Sequence, residues 1–116
     1  MSEKKKPIVW KVRTVKDYPD AHNHILVGIV RGVTDNYVRL MCRTFHYGRR
    51  VNALKDVRQG AFEVRLVPWN RIEIINELSS DFDVEQAKLT MDREGAAVLS
   101  AGDCNCVISS SLGERY

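Results

Sequence analysis

Apolar and polar positions alternate over most of the first 78 residues of this chain, and the alternation predicts strands. In "IVWKVRTV" (8–15), Ile8, Trp10 and Val12 share one side while Lys11 and Arg13 take the other, the pattern of a half-buried strand. "KDYPDAHN" (16–23) is a turn-rich connector. A second strand is predicted over 25–33, where Gly28 and Gly32 weaken the strand but permit a bulge or a sharp bend. After the turn "TDNY", "VRLMCRTF" (38–45) sets Val38, Leu40 and Cys42 against Arg39, Met41 and Arg43, which completes a hairpin.

The following segment, "HYGRRVNALKDVRQG" (46–60), is long and basic and reads as a loop with one helical turn around "NALKDV". "AFEVRLVPW" (61–69) is a fourth strand ended by Pro68, and "NRIEIINEL" (70–78) a fifth, with Ile72 and Ile74 alternating against Arg71, Glu73 and Ile75. Beyond Leu78 the pattern changes. "SSDFDVEQAKLTM" carries an N-cap candidate at Ser80 or Asp81, carboxylates in the first turn, and Val84, Ala87, Leu89 and Met91 as a helical stripe. "REGAAVLSAGDCNCVISS" has turns at Glu94-Gly95 and Gly102-Asp103 around short apolar runs, so a strand or hairpin ends the chain, with a serine cluster at 109–111. The expected fold is mainly β: a basic tail (1–7), a small, strongly bent SH3-like antiparallel barrel of five strands (8–78), and a C-terminal α/β appendage (79–116).

A length of 116 residues suits one domain. The formal charge of +3 conceals an asymmetry, since the first 78 residues hold 15 Lys and Arg against 8 Asp and Glu and the last 38 hold 3 against 7. A basic half points to an anionic partner, and an acidic tail is equally able to dock on a basic face of a neighbour. Cys42, Cys104 and Cys106 cannot all pair, and the start "MSEKKKPIVW" has no apolar run of signal-peptide length, so a cytoplasmic chain with reduced thiols is expected. No stretch approaches the roughly 18 apolar residues of a membrane-spanning helix, and no membrane partner is expected.

Candidate chemistry is sparse. His22 and His24 form a His-x-His pair that a strand would place on one side, but only His46 remains to complete a metal site, so no metal and no cofactor are expected. Cys104-x-Cys106 lacks partners for a four-thiolate site, and Asp103 opposes thiolate formation. No nucleophile elbow and no phosphate-binding loop is present, which argues against an enzyme. What remains is a set of cations and aromatics, including Arg31, Tyr37, Arg39, Arg43, Tyr47, Arg49, Arg50, Arg58, Arg65, Trp69 and Arg71. Single-stranded nucleic acid is held by such residues, aromatics stacking on bases and cations meeting phosphates. Trp69, next to Pro68, and Phe62 suit the core instead.

"VGIVRGVTDNYVRL" followed by "RLVPWNRIEII" resembles the Sm-like superfamily of Sm, LSm and Hfq-type RNA-binding proteins, over about residues 25–78. Gly28, Asp35, Tyr37, Val38 and Leu40 lie on its first motif. The second motif, Ile-Arg-Gly or Tyr-Lys-His in that family, has no counterpart, and "PWNRIEII" offers Asn70 and Arg71 as its polar candidates. The resemblance implies a homo-oligomeric, non-catalytic protein that binds single-stranded RNA. Tyr37 would stack on a base, Asn36 and Asn70 would bond its edge, and Arg39, Arg49, Arg50 and Arg71 would hold phosphates. The same glycine-rich start and "VPWNRIEII" end also look like PRC-barrel domains, adaptor modules in which Tyr37 is structural and the surface binds proteins.

Overall fold

In the computed structural model, which describes residues 6–18 and 21–109, the chain is mainly β and forms two antiparallel sheets. The basic tail before Lys6 and the serine cluster beyond Ser109 lie outside the described residues. The first sheet contains β1 (Val9–Thr14), β2 (Asn23–Val33), β3 (Tyr37–Tyr47), β4 (Val57–Gln59), β5 (Glu63–Pro68) and β6 (Ile72–Leu78), in the order β4-β3-β2-β1-β6. β5 also pairs with β3: residues 37–42 of β3 face β5, and residues 45–47 face β4. β5 therefore lies beyond β3 and β6 beyond β1, yet only the 3-10 turn Trp69–Arg71 separates them in sequence. The sheet must curl until its two edges meet at that turn, although among the described residues no ladder joins them.

Curling gives the sheet an inner and an outer face. Inside, Val12, Leu26, Val38, Leu40, Cys42 and Val67 form one cluster, with Trp10, Trp69, Ile72 and Ile75 packed against it. Outside, Val9, Ile25, Val27, Phe45, Tyr47 and Val57 pack against Phe82, Val84 and Ala87 and against the second sheet. That sheet is the meander β7 (Lys88–Met91), β8 (Ala97–Ala101), β9 (Cys104–Ser109), and it contributes Leu89, Ala97, Leu99, Cys106 and Ile108. β2 is thus buried on both faces, which accounts for its unbroken apolar run Ile25–Val27. Polar contacts tie the two parts together: Tyr47 Oη donates to Ile108 O (2.8 Å) and Lys11 Nζ to Val107 O (2.6 Å).

Several expectations need correction. The predicted helix over 80–91 is absent. Asp83 Oδ1 accepts from Gln86 N (3.2 Å) and Ala87 N reaches Asp83 O (3.0 Å), so a single turn forms, and then Leu89 and Met91 alternate in β7. Asp and Ser side chains compete for the backbone donors here, and Arg43 Nη1 caps the turn by donating to Val84 O and Ala87 O. The β1 face expected in solvent is covered instead: Arg13 is only 6% exposed and donates to Asn23 Oδ1 (2.8 Å). In β6, Ile72 and Ile75, not Ile72 and Ile74, face the inner cluster, because Glu73 is the extra residue of a bulge opposite Arg13 and Thr14. The segment 46–60 is more ordered than a loop, with β4 and the turn Leu54–Asp56, whose Asp56 carboxylate accepts from Asn52 N (2.8 Å) and Ala53 N (3.0 Å).

Other features follow the sequence pattern. Val38, Leu40 and Cys42 share the inner face, and a bulge at Arg31 precedes Gly32. The β7–β8 and β8–β9 turns use Gly95 and Gly102 at φ 83 and 57, where a side chain would be strained. Among the described residues no helix is long and apolar enough to cross a membrane.

Candidate functional site

The β2–β3 turn is built by Thr34. Its hydroxyl accepts the N–H groups of Asn36 (3.1 Å) and Tyr37 (3.0 Å), and its own N–H reaches Tyr37 O (2.9 Å). The 3-10 turn after β5 docks on it: Trp69 Nε1 donates to Thr34 O (2.7 Å), Trp69 N to Asn36 O (3.2 Å), and Pro68 pairs with Tyr37 across β3 and β5. Trp69 packs against the inner cluster but stays half-buried. Two segments 35 residues apart thus become one ridge. It presents Asn36 and Asn70 exposed, Tyr37 half-buried, and Arg39 exposed on the same outward phase of β3 as Tyr37.

Five of the seven residues expected to touch RNA therefore sit at this end of the molecule: Asn36, Tyr37, Arg39, Asn70 and Arg71. Arg71 already bonds Asp17 Oδ1 (3.0 Å) and Val15 O (3.5 Å), an exposed ion pair of little strength that a phosphate can replace. Arg49 and Arg50 are exposed too, but they follow the far end of the 11-residue β3. At about 3.3 Å per residue that is up to ~40 Å from Tyr37. Arg43 is committed to structure, bonding Val84 O (3.2 Å) and Gln59 Oε1 (2.9 Å) and lying over the Phe45 ring.

A second feature lies where the edges of the first sheet meet. A cavity of about 290 Å³ opens there, lined among others by Thr14, His24, Leu26, Arg65, Val67 and Arg71. Arg65 stands on β5 opposite Leu40 and two residues before Val67, so it occupies an inward phase of the strand. The sequence carried that signal, a charge at the buried beat of "EVRLV", but the basic composition masked it. His24 faces His46 across β2 and β3, their rings stacked with centroids 3.9 Å apart. His22 is not its companion as the His-x-His spacing suggested: it precedes β2 and lies near Gly48. Among the described residues no group of three or more His, Cys, Asp or Glu is placed to hold a metal ion.

Burial, then the positive charge of His46, Arg65 and Arg71, lowers the His24 pKa to about 4, and burial likewise lowers that of His46. Below the ordinary value of 6.5 the unfolded chain takes up these protons before the folded one does, so stability is lost as pH falls from about 6.5 towards 4. Allowing for solvent screening of a half-exposed ring, the His24 share is about 1–2 kcal/mol. Urea titrations at pH 7 and pH 4.5 are expected to show this loss, and a His24→Gln chain a shallower one; equal slopes for the two chains would remove His24 as its source. Two of the thiols stay protonated at neutral pH: burial pushes Cys42 up to about 11 despite the nearby Arg65, and pushes Cys106 up despite Lys11.

No protein-family model, no curated protein and no solved structure matches this chain.

Proposed function

We propose that this chain is a non-catalytic RNA-binding protein of Sm-like type, its first sheet a small, strongly bent barrel that assembles into a homo-oligomer and binds single-stranded RNA. The observation that carries the reading is the docking of the Trp69–Arg71 turn on the Thr34–Tyr37 turn, which brings Asn70 and Arg71 to the end of the molecule that holds Asn36, Tyr37 and Arg39. In this role Tyr37 is the base platform, Asn36 and Asn70 bond the base edge, and Arg39 and Arg71 meet phosphates. Arg49 and Arg50 then contact a strand continuing across the surface, adding affinity but no base preference. Assembly is supported by the edges of β5 and β6, each paired on one side only among the described residues.

The test is the solution mass by light scattering, with and without short oligo(U) and oligo(A). A closed ring that prefers one base is expected, and Tyr37→Ala is expected to cost about 1–3 kcal/mol of RNA affinity. An unchanged affinity in that variant would remove the stacking role. Arg49→Ala and Arg50→Ala are expected to flatten the salt dependence and leave base preference alone.

One observation favours a second reading, an oligomeric adaptor barrel of PRC-barrel kind. Val64 and Leu66 on the β5 edge are 42% and 55% exposed, an apolar strip suited to a protein partner. A monomer or dimer indifferent to RNA would favour it and make Tyr37 structural.

A further inference from the structure

The cavity where the sheet edges meet shares only Arg71 with the RNA reading, and its lining is unusual. Among the described residues, two buried side-chain nitrogens lack any hydrogen-bond partner, Arg65 Nε and His24 Nε2, and both residues line this cavity. Buried polar atoms are almost always paired, so an unpaired donor, Arg65 Nε, and an unpaired ring nitrogen, His24 Nε2, on two residues of one cavity wall set this place apart. They come from different strands, β5 and β2, while Arg71 adds a guanidinium from the 3-10 turn and Thr14 a hydroxyl from β1. None of the lining residues is acidic. The nearest acids are committed elsewhere and outward: Glu63 to an Arg65 terminal nitrogen (2.8 Å) and Asp17 to Arg71 (3.0 Å), with side chains 58% and 69% exposed.

We infer that this cavity binds a tetrahedral oxyanion, the phosphate group of a small molecule or inorganic phosphate, through Arg65, His24 and Arg71. A tetrahedral dianion offers acceptors in four directions and can meet donors converging from three elements, whereas a carboxylate offers two in one plane. The volume lies near the lower bound of small-ligand pockets, room for a phosphate and a small substituent. Binding is coupled to protonation. The lining supplies His24 on β2, Arg65 on β5 and Arg71; around them stand His46 and Cys42 on β3, Glu63 paired with Arg65 and Asp17 paired with Arg71, while Arg58 and His22 act through His46. Burial first, and cationic crowding after it, keep the imidazoles neutral, and a bound dianion offsets the crowding, so affinity rises as pH falls.

The test is titration of the full chain with inorganic phosphate, read on the imidazole nitrogen and proton signals of His24 and His46 by NMR, against chloride at equal ionic strength. A saturable shift that chloride does not reproduce is expected. Arg65→Gln and Arg71→Gln are each expected to weaken it about tenfold, the loss of one charge-assisted bond. Sulfate, which keeps its charge across this range, is expected to bind more tightly at pH 5.5 than at pH 7. Shifts matched by chloride would mean a water-filled cavity and overturn the proposal. So would an Arg65→Gln chain, folded by its near-ultraviolet circular dichroism, that binds phosphate as the parent does; should that chain not fold, the exposed Arg71→Gln decides in the same way. Tyr37→Ala is expected to keep phosphate binding and Arg65→Gln to keep RNA affinity, so the two sites fail separately.

Discussion

Replacing Gly28 by valine is expected to deprive the chain of this fold. Gly28 stands on β2 opposite Cys42 on β3, in the pair of strands at the centre of the first sheet. A Cβ at this position would lie 2.5 Å from Met41 O and 2.7 Å from the Cys42 Cα. These are backbone atoms of the neighbouring strand and cannot rotate away as a flexible side chain would, so β2 and β3 must separate. Separation breaks their ladder and opens both hydrophobic clusters at once, since Leu26 and Val27 flank the site on opposite faces. The expected cost, on the order of 4 kcal/mol or more, is a large share of the ~5–15 kcal/mol that stabilises a small domain. Soluble yield and the urea midpoint of Gly28→Val check it. A midpoint close to the parent's would show that the strands do not approach so closely.

A chain ending at Leu78 is expected to collapse or aggregate rather than fold. Without the residues that follow, the outer face of the first sheet exposes Val9, Ile25, Val27, Phe45, Tyr47 and Val57, all buried in the full chain. At about 1.5–3 kcal/mol for each buried side chain, the loss is on the order of 10 kcal/mol, as large as the stability of most small domains. The bonds from Tyr47 to Ile108, from Lys11 to Val107 and from Arg43 to Val84 go with it. ANS fluorescence and proton–nitrogen NMR of the fragment read the outcome: bound dye and collapsed dispersion are expected. A dispersed spectrum with cooperative unfolding would mean that the first sheet stands alone and the C-terminal sheet is an accessory.

Much of the strand pattern was legible because a strand writes itself locally. Val38, Leu40 and Cys42 alternate with Arg39, Met41 and Arg43 in sequence and do so in the sheet. The 79–91 segment misled for an equally physical reason. Val84, Ala87, Leu89 and Met91 fit a helical stripe, but Asp83 and Arg43 take the backbone groups that a helix would pair with itself, and the apolar side chains find the outer face of the first sheet instead. Gly28 illustrates a partial reading. A special backbone was expected there, yet the bulge belongs to Arg31 and Gly32, while Gly28 serves close approach to β3.

The candidate sites divide in the same way. The sequence by itself determined that Asn36 and Tyr37 occupy a tight turn after an apolar strand, because Thr34, Asp35 and Asn36 have strong local preferences for turns. It also placed Arg39 and Arg43 on β3, but read Arg71 as strand, where a 3-10 turn forms, and Arg58 as loop, where β4 forms. Only the tertiary structure decided that Asn70 joins Tyr37, that Arg49 and Arg50 do not, and that Arg65 and His24 meet at a cavity. It likewise decided that on the charged face of β1 Arg13 is buried against Asn23 and Lys11 reaches Val107 of the second sheet, 96 residues away. Alternation and turn chemistry act over a few neighbouring residues, whereas burial of a face and convergence of donors depend on where the curled sheet brings distant segments together.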